Sequence, residues 1–228
     1  YIANNYITHR VAFSENLAAI QFLDMLAKQR ANLIYDIDDD LLNLQVNQDE
    51  QRFYNNRKLV IESFIRSADL LQVSTSILGC RYKFLNDNVK IFPNRLDWDL
   101  WSLESTESCT AFPLRILYMG TMTHKMDWEM IEPIMRRIID RRANTVEMHI
   151  IGIVESKFIP EWVTLHTPPS GVSAVYPAFV QWLKTLGGFH IGIAPLVDNY
   201  FNAAKSGIKF FDYTALGATT IASDLAPY

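Results

Sequence analysis

Two patterns of apolar spacing alternate along this chain. Short unbroken apolar runs are separated by longer stretches in which apolar residues recur every three or four positions. The first pattern predicts buried strands and the second amphipathic helices. Early in the chain, residues 14–30 have helical spacing, with Ser14 in N-cap position. Residues 33–37 form a β-type run, and 52–67 return to helical spacing. Residues 70–74 are strand-like, 77–85 predict a short helix, and 89–92 a further strand that stops at Pro93 and Asn94. Strand and helix in alternation predict a parallel sheet covered on both faces.

Residues 97–113 break the rhythm with acidic, Ser and Thr residues, two Trp and a Pro, and are read as a linker. A second α/β series follows. It has strands at 115–119, 148–151, 163–166, 190–194 and 219–222, the first two ending in Gly120 and Gly152. Its helices are expected at 127–142, with Asp127 as N-cap, at 173–186, where Pro177 must lie in the first turn or interrupt the helix, and at 204–216, closed by Gly217. The expected architecture is α/β: an incomplete N-terminal Rossmann-like domain over 1–95, a linker over 96–112, and a second Rossmann-like domain over 113–228.

With 49% hydrophobic and 20% charged residues in 228, the composition is that of a packed globular protein. A formal net charge of −4 disfavours nucleic acid as partner. Two cysteines, Cys80 and Cys109, cannot form a disulfide framework and read as ordinary thiols. No apolar run approaches the roughly 20 residues of a membrane span, and no signal peptide is visible.

In parallel sheets, ligands sit outside the carboxyl ends of the strands, so the segments after 119, 151, 194 and 222 are where chemistry is expected. The strongest candidate is the helix after strand 190–194. Asn202 stands where an N-cap would, and Ile208, Phe211 and Ala215 share a face assigned to the core. Lys205, Lys209 and Asp212 share another stripe. Free N–H groups at a helix start, with Lys205, Ser206 and Gly207 beside them, suit a diphosphate. Asp212, further along, suits a ribose diol. A solvated charged face explains the same spacing.

The residues around this helix are similar to a known family. Phe201-Asn202, Lys205-Ser206, Ile208-Lys209, Asp212-Tyr213, Ala215, Gly217 and Ile221-Ala222-Ser223-Asp224 resemble the C-terminal signature of the group 1, family-4-like retaining GT-B glycosyltransferases. Leu117-Tyr118-Met119-Gly120-Thr121, Thr123-His124 with Asp127, Ile150-Ile151-Gly152, Ala194-Pro195-Leu196, and Phe92-Pro93-Asn94 with Asp97 match further motifs in the same order. Asp212 replaces the family's glutamate, Ala204 occupies the position of its earlier glutamate, and both ends fall short of the family's domains.

The resemblance implies a two-domain GT-B fold and metal-independent, retaining transfer of a sugar from a nucleotide-diphosphate donor, with no cofactor and no metal site. It gives catalytic roles to Lys205, Lys209 and Asp38, and donor binding to Gly120, Thr121, His124, Lys125, Asn202, Lys205, Ser206, Gly207, Lys209 and Asp212. The implied partners are a nucleotide sugar and a glycan or lipid-linked acceptor. The implied location is cytoplasmic, extending to peripheral association with the inner face of a membrane. A non-catalytic nucleotide-sugar-binding module is the alternative from another class.

The acidic run Asp36-Ile37-Asp38-Asp39-Asp40 admits three readings. It resembles the same family's acidic motif, which faces the interdomain cleft. It also resembles the opening motif of haloacid-dehalogenase-like phosphatases, with Asp36 as nucleophile, Asp38 as acid/base and Ser74 as phosphate ligand. Finally, Asp38 to Asp40 suit a solvated helix cap. Arg10 is a weaker cleft candidate. His9, His149, His166 and His190 lack metal-ligand spacing, and the five Trp residues read as packing.

Overall fold

The computed structural model describes residues 4–11, 13, 15–45, 48–49, 52–102, 112–142, 144–153 and 159–228. Ser14, Cys109 and most of the expected linker lie outside the described residues. The chain divides into two compact units. The first holds the residues up to Asn94 together with Asp198–Ser206, and the second holds Arg95–Val197 and Gly207–Ala226.

The first unit runs β1 (Asn5–His9), α1 (Asn16–Gln29), β2 (Asn32–Ile37), α2 (Lys58–Ser67), β3 (Leu70–Val73), α3 (Ser76–Tyr82) and β4 (Val89–Ile91). Its strands are all parallel, in the order β1-β2-β3-β4. Strand alternation places Leu33, Tyr35 and Ile37 in the core, while Asp36 lies opposite His9 on β1 and Gln72 on β3. Helix α1 stops at Arg30, whose φ of 51° is left-handed. Helix α3 starts under a capping side chain, as Thr75 Oγ1 accepts from the Leu78 N–H. The Thr75 hydroxyl in turn donates to the carbonyl of Ala204, and Phe201 and Ala204 are part of this unit's apolar core. A segment that begins 104 residues after Asn94 therefore completes the first unit.

The second unit contains α4 (Trp98–Trp101), β5 (Leu114–Gly120), α5 (Lys125–Arg142), β6 (Val146–Gly152), β7 (Val163–His166), α6 (Tyr176–Thr185), β8 (Ile191–Ala194), α7 (Ile208–Ala215) and β9 (Thr219–Ala222). Its parallel sheet has the order β7-β6-β5-β8-β9. Along β5, Leu117 and Met119 enter one apolar cluster with Val180, Leu183 and Tyr213. Ile116 and Tyr118 enter another with Trp128, Met135 and Met148. A strand buried on both faces reads as a continuous apolar run, as residues 116–119 do. Gly152 has φ +70°, and a Cβ there would lie 2.1 Å from the Gly120 carbonyl oxygen, so the end of β6 requires glycine.

From β5 the chain winds outward through β6 and β7, then returns to the other side of β5 for β8 and β9. The winding direction reverses between β5 and β8. In open α/β sheets, the crevice at the carboxyl ends of the two strands flanking such a reversal is the ligand site. Here it opens onto the segments after Gly120 and after Ala194.

Candidate functional site

The expected long helix at 204–216 is two elements. Asn202–Ala204 form a single 3₁₀ turn, Lys205 is extended with φ −65° and ψ 157°, and α7 begins at Ile208 behind Gly207. Asn202 is thus fully buried inside a turn and does not cap α7, whose start has no side-chain cap. The expected Lys205–Lys209–Asp212 stripe reduces to Lys209 and Asp212, one turn apart on α7. The expected core face changes as well. Tyr213 and Ala215 are buried, whereas Phe211 is 49% exposed. The physical reason is a close contact between α7 and β8. Gly192 lacks a Cβ, which would fall 2.1 Å from the Tyr213 ring, so that ring can lie on the strand and sets the rotation of the helix.

Tyr213 also joins the two strands that flank the winding reversal. Its hydroxyl accepts from Met119 N–H at 3.1 Å and donates to the Ile193 carbonyl at 3.0 Å. Burial pushes its pKa far above the ordinary phenol range, against the opposing pull of the Met119 N–H, so it remains a neutral hydrogen-bonding strut.

Beyond Gly120, residues Met122–His124 make a 3₁₀ turn that leads directly into α5 at Lys125. Asp127 therefore lies in the first helical turn and is not the cap that its position suggested. It is 1% exposed. One carboxylate oxygen meets His124 Nδ1 at 2.7 Å, and the other accepts the Val197 N–H at 2.7 Å. Lys209 Nζ lies 2.9 Å from His124 Nε2. A Cβ at Gly120 would come within 3.0 Å of the His124 ring, so glycine leaves room for that ring. Thr121 and Thr123 share a 2.9 Å hydroxyl contact beside it.

Asp212 is half-buried, and its Oδ1 has no hydrogen-bond partner among the described residues. Burial pushes its pKa up to about 7, against the opposing pull of Lys209. A buried acceptor without a donor is costly and rare in native proteins. A ligand bearing hydroxyls would supply that donor.

Lys205, Ser206 and Asn202 lie with the first unit. Lys205 is 9% exposed, packs 4.6 Å over the Phe201 ring and pairs with Asp39 at 3.3 Å. Ser206 Oγ accepts from Asn94 at 2.9 Å, which joins the Pro-Asn motif to the signature segment. Asp39 also pairs with Arg10, whose Nε lies 3.0 Å from Asp38. Desolvation opposes the charge on Arg10, but Asp38 and Asp39 outweigh it and hold its pKa above the ordinary value. Burial raises the Asp36 pKa, partly offset by His9 at 3.5 Å. Asp40 is fully buried and receives Arg81 at 2.7 Å, Tyr82 OH at 2.9 Å and Asn43 at 2.8 Å.

The acidic run is thus interleaved with Arg10, Arg81 and Lys205, which compensate its mutual repulsion. Asp40 is a structural anchor and not a solvated cap residue. Ser74, the phosphate ligand of the phosphatase reading, has its hydroxyl directed at the Asp38 carbonyl at 2.8 Å. Among the described residues, no cluster of three or more His, Cys, Asp or Glu is arranged to hold a metal ion.

Sequence reasoning missed two features. The His124–Asp127 pair shows in the sequence as an i, i+3 spacing, but local pattern alone assigns Asp127 to a cap. The Arg81–Asp40 pair spans 41 positions and left no local signal.

No family model matches the chain, and no curated protein matches it. Solved structures do. A crystal structure of TarM matches over 97% of this chain and 41% of its own length, at 14% identity and TM-score 0.55. The catalytic domain of starch synthase IV from Arabidopsis thaliana, bound to ADP and acarbose, matches over 98% of this chain and 57% of its own length, at 10% identity and TM-score 0.58. This chain therefore spans roughly half of each. No helix among the described residues is long and apolar enough to cross a membrane. The two parallel-sheet α/β units, with the winding reversal between β5 and β8, give this chain the fold of the GT-B glycosyltransferases.

Proposed function

We propose that this chain is part of a glycosyltransferase that takes its sugar from a nucleotide-diphosphate donor, and that the second unit binds that donor. The observation that carries the reading is the unpartnered Asp212 carboxylate oxygen on α7, one helical turn beyond Lys209, in the segment that follows β8 at the winding reversal. A ribose diol is a donor pair that a carboxylate can accept. A diphosphate is an anion that Lys209 and the uncapped start of α7 favour. Transfer would break the bond between the anomeric carbon and the diphosphate oxygen while the acceptor oxygen bonds to that carbon and gives its proton to the leaving diphosphate. Charge gathers on the leaving diphosphate, so cations fixed beforehand lower the barrier. Retention of anomeric configuration follows the family resemblance. Lys205 and Asp38 keep their proposed roles on the first unit, where Asp39 and Arg10 hold them.

The test is calorimetric titration of UDP, GDP and ADP against wild type, Lys209→Ala and Asp212→Ala. Loss of a charge-assisted contact should weaken the best ligand by about ten-fold or more for each substitution. Unchanged binding in both variants would overturn the assignment.

Ala204 favours the second reading, a non-catalytic nucleotide-sugar-binding module. It is apolar and fully buried where the resembled family carries a glutamate. Slow hydrolysis of the cognate nucleotide sugar, lost in Lys209→Ala, marks the enzyme. Binding without any turnover marks the module.

A further inference from the structure

We infer that Asp127 is a positioning residue for Lys209, acting through the tautomer of His124; the inference rests on the donor-site reading above. The three side chains come from three segments that meet in the second unit. Asp127 lies on α5, His124 on the turn after β5, and Lys209 on α7. Asp127 and His124 are 1% and 5% exposed, so bulk water does not compete for their contacts.

An ionised carboxylate only accepts hydrogen bonds. At 2.7 Å from Asp127 Oδ2, His124 Nδ1 must therefore carry its proton. A neutral imidazole protonated at Nδ1 presents a lone pair at Nε2. The Lys209 ammonium, 2.9 Å away, donates to that lone pair. The other Asp127 oxygen is held by the Val197 N–H at 2.7 Å, so the carboxylate cannot turn away. Free lysine side chains sample many rotamers, and ordering one costs entropy. This chain of contacts holds one lysine in place before any ligand arrives. The same logic operates in the Ser-His-Asp triad, where the buried aspartate fixes the histidine tautomer.

Asp127→Asn is the informative substitution because it preserves size. Its amide oxygen can still accept from Val197. Its NH₂ then faces His124 Nδ1, which must accept, and the ring proton moves to Nε2. That proton points at the Lys209 ammonium and displaces it.

Three measurements test this. The ¹⁵N chemical shifts of His124 in the wild-type chain should report the Nδ1–H tautomer, and Asp127→Asn should report Nε2–H. An Nε2–H wild type overturns the inference, even if the variant does not fold. In titrations with UDP, GDP and ADP, Asp127→Asn should weaken the best ligand by about ten-fold, as Lys209→Ala does. In the Lys209→Ala background, Asp127→Asn should add less than about two-fold, since residues acting as one unit are non-additive. If Lys209→Ala leaves binding unchanged, or no nucleotide binds, the donor-site reading itself fails. If Lys209→Ala weakens binding but Asp127→Asn does not, or does so equally in both backgrounds, the tautomer mechanism fails and the donor site stands.

Discussion

Asp212→Asn removes a carboxylate whose pKa burial pushes up from 3.8 to about 7. The sign follows from proton linkage. Between those two values the folded chain binds a proton that the unfolded chain has released. Stability contributed by this group is therefore lost as pH rises from about 4 through about 7, and is constant above that. Between pH 5 and pH 8 the loss amounts to about 2.5 kcal/mol. Asparagine does not ionise, so the variant escapes it. Urea unfolding of wild type and Asp212→Asn at pH 5, 6, 7 and 8 measures the difference, with unrelated titrations cancelling between the two proteins. The stability of Asp212→Asn relative to wild type should rise by about 2.5 kcal/mol across that range. Parallel pH curves would refute the argument that burial keeps this carboxyl protonated. A ribose diol donating to the ionised form would couple to the same equilibrium. Affinity for the best nucleoside diphosphate should then increase more steeply from pH 6 to pH 8 in wild type than in Asp212→Asn, where only the ligand's own phosphate ionisation remains.

Tyr213→Phe deletes the hydroxyl that joins β5 to β8 and leaves the Met119 N–H and Ile193 carbonyl without it; a loss of about 1–3 kcal/mol in urea unfolding is expected. Asp40→Ala removes a fully buried acceptor and strands Arg81, with its side chain 12% exposed, and the buried Tyr82 hydroxyl; the expected cost is about 3–5 kcal/mol, read as a lower thermal midpoint. His149 and His166 stack with ring nitrogens 2.9 Å apart. Desolvation first, and then Arg115, lowers both of their pKa values, while Glu147 pulls the other way on His149. Their neutral forms are the stable ones, so stability should hold above about pH 6.5 and fall below it. His166→Gln should flatten that acid limb, and an unchanged limb would show that the pair does not drive it.

Part of this protein was legible because two central strands, β5 and β6, are short and buried on both faces. Residues 116–119 and 148–151 could be read as buried parallel strands without knowing their neighbours. Alternation of strand and helix then constrained both units to parallel sheets. Gly120 and Gly152 marked strand ends: at Gly152 the neighbouring backbone admits no side chain, and at Gly120 glycine leaves room for the His124 ring.

What the chain alone left open was decided by contacts between distant segments. A continuous helix through Ala204 and Lys205 was the reasonable local reading. It fails because Phe201 and Ala204 fill an apolar core whose other members lie far earlier in sequence, and core burial outweighs the small propensity gain of extending α7. Asp127 has the local signature of a cap. The histidine three residues before it, and the backbone N–H of Val197 70 positions away, make it a fixed acceptor instead. The strand order β7-β6-β5-β8-β9, and with it the winding reversal, is likewise a property of pairing between strands. Local pattern specifies which face of a segment is apolar. Only the folded chain specifies which apolar face, or which buried charge, it meets.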